Sequence, residues 1–381
     1  MSSIWVRAWR STPRIDCGLC GLSTCASYAR AVLVGDTKIE TCPVLSLPEF
    51  SSLQTELTAS AERIRPPKDT KAPDKPKGGI VFTQPCKDAN SRYMAELRVF
   101  SGIEPGSEVR FPVFDPSILC DMMECLKERF QDVKCSRELG YGRADDGDLN
   151  ITMLQDGRIN MRRVNSKEHV ESLFAILERT IIAATVCNCC GRDMLSVLSA
   201  CESGTDRHMH TIFNAGTTFS LDSTVAKRPI TKSALLSTFG DDAVAGVRIV
   251  EMLQDHIQWQ IEALATGESL DEERKPDLQR TKCAFAELFQ SPSANGNETL
   301  ILKGLALVWA LEGAILGLES AAHHMSSLSV ADSATARELL KAASNGQIPE
   351  RMDRSWSSGL KLCYAHFTRL NRASCLLNKW S

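Results

Sequence analysis

Apolar and polar positions change their period several times along this chain. A short helical period runs over Ala26 to Val34 and stops at Gly35, which suits the left-handed cap that closes helices. The stretch 61–78, AERIRPPKDTKAPDKPKG, has no period: four prolines stand among six basic and three acidic residues, so it is expected to be an extended, solvated linker. From Gly79 the pattern alternates. Ile80 to Thr83, Val109 to Phe114 and Val133 to Cys135 predict strands. Asp115 as N-cap, Pro116 in the first turn and apolar Ile118, Leu119, Met122 and Leu126 predict a helix between 115 and 130.

Residues 148–164, DLNITMLQDGRINMRRV, are two alternating runs joined at Asp156-Gly157. They predict a β-hairpin with a two-residue type I′ turn. Tyr141 to Asp148 is expected to be an exposed loop. Ser166 caps a helix whose Val170, Leu173, Phe174, Leu177 and Ile181 share one face. Beyond residue 230 the strong segments are helical: 241–266, 298–326, 333–344 and 356–377. The apolar tract Leu300 to Leu318 is cut by Lys303 and Glu312, so a buried helix is expected there and no membrane span.

The 381 residues exceed one typical domain. With 44 basic against 47 acidic residues they supply no global electrostatic case for nucleic acid or an anionic surface. Arg7, Arg10 and Arg14 interrupt the start of the chain and no apolar run follows, so no secretory signal is read and a cytoplasmic protein is expected. Fifteen cysteines in such a setting point to metal or redox chemistry rather than to disulfides.

Their spacing is specific. Cys17-Gly-Leu-Cys20-Gly-Leu-Ser-Thr-Cys25 is followed by sixteen residues and then Cys42-Pro43. Three thiolates bunched on a glycine-rich loop, with a fourth returning after a helix, can hold one iron–sulfur cubane. Gly18 and Gly21 allow positive φ, which brings backbone amides near the sulfides. Zinc is the rival, but its sites usually pair two short knuckles; packed, unliganded thiols are the bland alternative. At these residues, with Cys20-Gly21, the Ala29-Arg30-Ala31-Val32 helix, Gly35 and Cys42-Pro43, the segment resembles a known module. It is the small four-cysteine domain of the corrinoid iron–sulfur protein large subunit and of Rnf-complex B subunits. That resemblance implies a [4Fe-4S] cluster ligated by Cys17, Cys20, Cys25 and Cys42. The region 80–190, with QPCKD, FDPSILCDMMECLK and LQDGRINMRR, is similar to a domain that accompanies this module in poorly characterised prokaryotic iron–sulfur proteins.

Cys187, Cys189, Cys190 and Cys201 form a second thiol group. It is either a further metal or redox site or a helix end packed with small apolar thiols. Cys86, Cys120, Cys125 and Cys135 are expected to pack as thiols. Arg137, Arg143, Arg158, Arg162 and Arg163 form a basic group mixed with carboxylates, read as ordinary mixed surface charge. On the helices, Glu312, Glu319 and His323 share one face, Glu251 and His256 lie on another helix, and Gly313 and Gly317 allow a neighbouring helix to come close.

The expectation is an α+β chain with an iron–sulfur module at 1–50 and a linker at 51–78. An α/β sandwich-like unit with a β-hairpin follows at 79–200, and a helical bundle at 201–381. Its expected role is one-electron transfer to a redox partner or an internal site. The alternatives are an accessory protein that matures another metalloenzyme, or a redox enzyme with a pocket between the α/β unit and the helices.

Overall fold

The computed structural model describes residues 4–63, 80–83, 93–101, 112–187, 191–202, 210–213, 218–221, 228–270 and 276–380. The chain has an α+β fold that divides into two compact units. The first comprises 1–7, 62–228 and 285–302, the second 8–61, 229–284 and 303–381. Each unit is assembled from three separate segments. Residues 51–63, at the start of the expected linker, form a helix; 64–79 lie outside the described residues.

The first unit is built on a six-stranded antiparallel sheet. Its strands are β1 (Val81–Thr83), β2 (Tyr93–Arg98), β4 (Asp132–Ser136), β5 (Tyr141–Asp146), β6 (Leu149–Leu154) and β7 (Arg158–Val164), in the order β1-β2-β7-β6-β5-β4. Alternation decides which face is core: Ala95, Leu97, Val133, Ala144, Ile151, Met153, Ile159 and Met161 are all buried. Arg163, at φ 63°, sits at a register shift against Tyr93 and Met94, a bulge that returns Val164 to the buried face.

The expected hairpin forms, but its turn differs. Only Gly157 has positive φ, at 84°, and its N–H donates to the Leu154 carbonyl at 2.9 Å, giving a three-residue loop in place of type I′. A Cβ at Gly157 would lie 2.3 Å from the Val99 carbonyl oxygen. The loop expected over 141–148 is instead strand β5. Glycine and aspartate have poor strand propensity, yet Gly142 lets Met123 pack against the backbone and Ala144 is fully buried. Of the expected strand 109–114, residues 109–111 lie outside the described residues, and Phe114 makes an isolated bridge to Thr185.

Helix α4 (Pro116–Glu124) starts as expected: Asp115 accepts from the N–H groups of Ser117 and Ile118. It packs on β4 and β5 and carries Cys120, which is joined to Cys135 of β4 in a disulfide with Cα atoms 5.2 Å apart. Cys125 and Cys283 are also disulfide-bonded. Cys120, Cys125 and Cys135 thereby correct the expectation of packed thiols, while Cys86 lies outside the described residues. Close packing of α4 on the β4 edge brings together cysteines that are 15 residues apart. Helix α5 (Lys167–Ile181), capped by Ser166, packs on β7, and Arg179 donates to the Phe289 carbonyl at 2.8 Å. Helix α6 (Met194–Glu202) and a small sheet complete the unit; strand β3 (Phe100–Ser101) pairs with β8 (His210–Phe213), which pairs with β9 (Thr218–Leu221). The stretch from 201 on is therefore not wholly helical. The arginines expected as mixed surface charge are paired locally, Arg137 with Asp121, Arg143 with Asp145 and Arg158 with Asp156, each at 2.7 Å.

The second unit is helical. It contains α2 (Cys25–Leu33), α7 (Lys232–Phe239), α8 (Val244–Thr266), α11 (Val330–Ser344) and α12 (Ser358–Leu377), most of α3 (Ser51–Arg63), α9 (Leu278–Glu287) and α10 (Glu298–Met325), and the end of α1 (Ile4–Arg10). Thr231, Ser329 and Ser357 cap three of these helices through the expected side-chain-to-amide bonds. Helix α10 is long and apolar enough to cross a membrane, but 72% of its most apolar window is buried inside the protein. Leu305, Leu311, Ile315 and Leu318 make it a core helix. As expected, its Gly313 and Gly317 admit a neighbour: a Cβ on Gly317 would lie 3.1 Å from the His366 carbonyl oxygen of α12.

Candidate iron–sulfur site

Residues 14–25 wind into a loop whose backbone is unusual at several points. Asp16, Gly18 and Gly21 all have positive φ, at 53°, 77° and 82°, and a Cβ on either glycine would meet nothing within 4 Å, so conformation and not space selects glycine there. The Gly21 N–H donates to the Gly18 carbonyl at 2.9 Å, closing the turn between Cys17 and Cys20. Thr24 then caps α2 by accepting from the Ser27 N–H at 3.1 Å, which puts Cys25 in the first helical position. The Cys25 N–H itself donates to Asp16 at 2.5 Å, pinning the helix start to the loop.

Helix α2 carries the chain away and ends at Gly35, φ 78°, with the Asp36 N–H reaching back to the Ala31 carbonyl. Tyr28, 1% exposed, donates its hydroxyl to the Ile39 carbonyl at 2.6 Å and so anchors the turn that leads into Cys42. Cys25 and Cys42 are buried; Cys17 and Cys20 are half-buried on the loop side, beside exposed Gly18 and Gly21.

The four thiols are coupled electrostatically, each to at least two of the others. Burial, with a smaller push from Cys42, Cys20 and Asp16, raises Cys17 from 9.0 to about 12. Burial and Cys42 raise Cys20 to about 11. Burial also lifts Cys25 and Cys42. Backbone hydrogen bonds at Leu19, for Cys17, and at Val44 and Leu45, for Cys42, pull the other way, the Leu45 N–H lying 3.4 Å from sulfur, while the Cys20 thiol donates to the Leu22 carbonyl at 3.6 Å. Four protonatable sulfurs in a dry site with amides aimed at them form a donor set fitted to a thiolate-ligated metal group, which replaces four protons by cationic iron. Among the described residues no three thiol, carboxylate or imidazole groups converge closely enough to hold a single metal ion.

Helix α12 supplies contacts that the cysteine spacing does not reveal. The Thr368 hydroxyl shares its single proton between the Ala365 carbonyl of its own helix, at 2.7 Å, and the Cys17 carbonyl, at 2.9 Å, across a separation of 351 residues. Next to it, the half-buried Arg369 guanidinium is drawn down by burial but held charged by Asp16, Cys25, Cys17 and Glu312.

The second thiol group is only partly described. Cys187 is buried in a tight turn, its N–H donating to Arg192 at 2.7 Å and its carbonyl accepting from Gly191. Cys201 lies on α6, while Cys189 and Cys190 lie outside the described residues. The carboxylates and histidines of the bundle find other roles: Glu312 pairs with buried Lys282 and Glu251 with Lys232, while His256 and Glu319 line a cavity of about 570 Å³ within the helical unit, together with Trp259, Gln260 and Arg337.

No curated protein and no solved structure matches the chain. A family model described as "Putative Fe-S cluster" matches residues 13–44, which contain all four cysteines, so this segment is an iron–sulfur domain within a longer chain.

Proposed function

We propose that this protein binds a [4Fe-4S] cluster through Cys17, Cys20, Cys25 and Cys42 and passes single electrons to a redox partner. The observation that carries the reading is the set of four coupled thiols with backbone amides directed at them, inside the segment matched to an iron–sulfur family. When bound, the cluster would supply one reversible electron at a potential set by its surroundings.

The chain's own residues do the rest. Gly18 and Gly21 shape the loop, Asp16 ties it to the first turn of α2, and Tyr28 positions the turn before Cys42. Backbone hydrogen bonds at Leu19, Val44 and Leu45 stabilise negative sulfur. The site is asymmetric: buried Cys25 and Cys42 face the helices, and half-buried Cys17 and Cys20 lie at the exposed loop. That loop is the edge a partner protein would approach.

Anaerobically purified or reconstituted protein is expected to carry about four irons and four sulfides per chain. Cys20→Ser and Cys25→Ser are each expected to abolish the reduced-cluster EPR signal. Stoichiometric zinc with no visible absorbance in native protein would overturn the reading. The cavity beside His256 and Gln260, whose Nε2 and Oε1 are buried without a hydrogen-bond partner among the described residues, favours a second reading, a cluster-fed redox enzyme. It requires turnover of a small substrate that fails in a His256→Ala variant with its cluster intact.

A further inference from the structure

We infer that Arg369 is the charge-compensating residue of the cluster site: α12 delivers a guanidinium that offsets the negative charge of the thiolates and holds the reduction potential up. The inference rests on the proposed ligation by Cys17, Cys20, Cys25 and Cys42.

Geometry supports it from three sides. First, α12 is fixed to the cysteine loop itself, since Thr368 holds the Cys17 carbonyl at 2.9 Å and Arg369 follows it. Second, α10 leaves a groove for the side chain. A Cβ on Gly313 would sit 3.3 Å from Arg369 Nε and Nη2, and one on Gly317 would sit 3.5 Å from its Cδ, so larger residues would displace the arginine. Third, the charges are ordered. Arg369 interacts with Asp16 most strongly and then with Cys25, Cys17 and Glu312, and Glu312 is itself paired with Lys282 at 3.0 Å. Lys282, only 4% exposed at its side chain, lies over the Trp309 ring. Glu312 thus has a lysine as well as Arg369 to satisfy it, so the guanidinium is shared mainly between Asp16 and the sulfurs.

Adding an electron to a thiolate-ligated cluster adds negative charge to a low-dielectric site, and a nearby fixed cation stabilises the reduced state more than the oxidised one. Removing that cation must lower the potential.

The test compares reconstituted wild-type protein with Arg369→Gln and Arg369→Lys in EPR-monitored redox titrations, with iron and sulfide measured on each sample. Arg369→Gln is expected to disfavour the reduced state at least tenfold at a fixed potential, about 59 mV downward for one electron. Arg369→Lys is expected to stay within threefold of wild type. A Gln variant that loads and titrates like wild type overturns the inference and leaves the cluster assignment standing; failure of wild type itself to bind iron and sulfide overturns the assignment beneath it. Should the Gln variant not load, the Lys variant decides: loading with a near-native potential supports charge compensation, while a large downward shift or failure to load shows a packing role instead.

Discussion

Metal-free protein is expected to hide its cluster thiols from alkylation, by an amount the structure sets. Burial raises Cys17 from 9.0 to about 12 and Cys20 to about 11. At pH 8 a thiol with its ordinary value is roughly one-tenth thiolate, and one at 12 roughly one part in ten thousand, because the ionised fraction falls tenfold per unit. Since only the thiolate reacts, folded apo-protein should alkylate about a thousandfold more slowly at Cys17 and about a hundredfold more slowly at Cys20 than the same chain in denaturant. The assay is a timed iodoacetamide reaction on reduced, chelated protein at pH 8, quenched and mapped by peptide mass spectrometry. Native Cys17 reacting within tenfold of its denatured rate, or faster than Cys20, would refute the reasoning. The same protonation sets a requirement for loading: each ligand must lose its proton, so cluster assembly should release about four protons per site and become more favourable as pH rises.

Two further outcomes follow from the same site. Because the folded-state values of Cys17 and Cys20 are raised, their contribution to apo-protein stability is complete below pH 9.0 and is lost as pH climbs towards about 11 and 12; thermal melts should show apo-protein weakening above pH 9.0 while loaded protein, whose sulfurs carry no proton, does not. Thr368→Val removes the bond to the Cys17 carbonyl, which should cost about 0.5–1.5 kcal/mol and speed iron loss to a chelator; an unchanged loss rate and melting temperature would remove Thr368 from the site.

Local chemistry made much of this molecule readable in advance. The helices at 244–266, 298–325, 330–344 and 358–377 lie close to where the apolar period placed them, since each buries a continuous stripe. The loop glycines were legible because positive φ leaves few alternatives. Strand β5 was not, because Gly142, Asp145 and Asp146 look like turn residues until Met123 and the neighbouring strands are in place. The Cys120–Cys135 disulfide was equally hidden, as it depends on where α4 packs. Thr368 and Arg369 carry no motif at all: their meaning comes from α12 lying against a loop hundreds of residues earlier, which no spacing rule encodes.

The bond between Thr368 and the Cys17 carbonyl also has a meaning in time. A ribosome releases the four cysteines almost at once, but the threonine that braces the first of them is made 351 residues later. Until that point the nascent chain therefore exposes a ligand loop without this support, and closing so long a loop is a late and slow event. A lasting cluster then waits for α12. Truncation before α12, far in sequence from any proposed ligand, would be felt first as iron that does not stay.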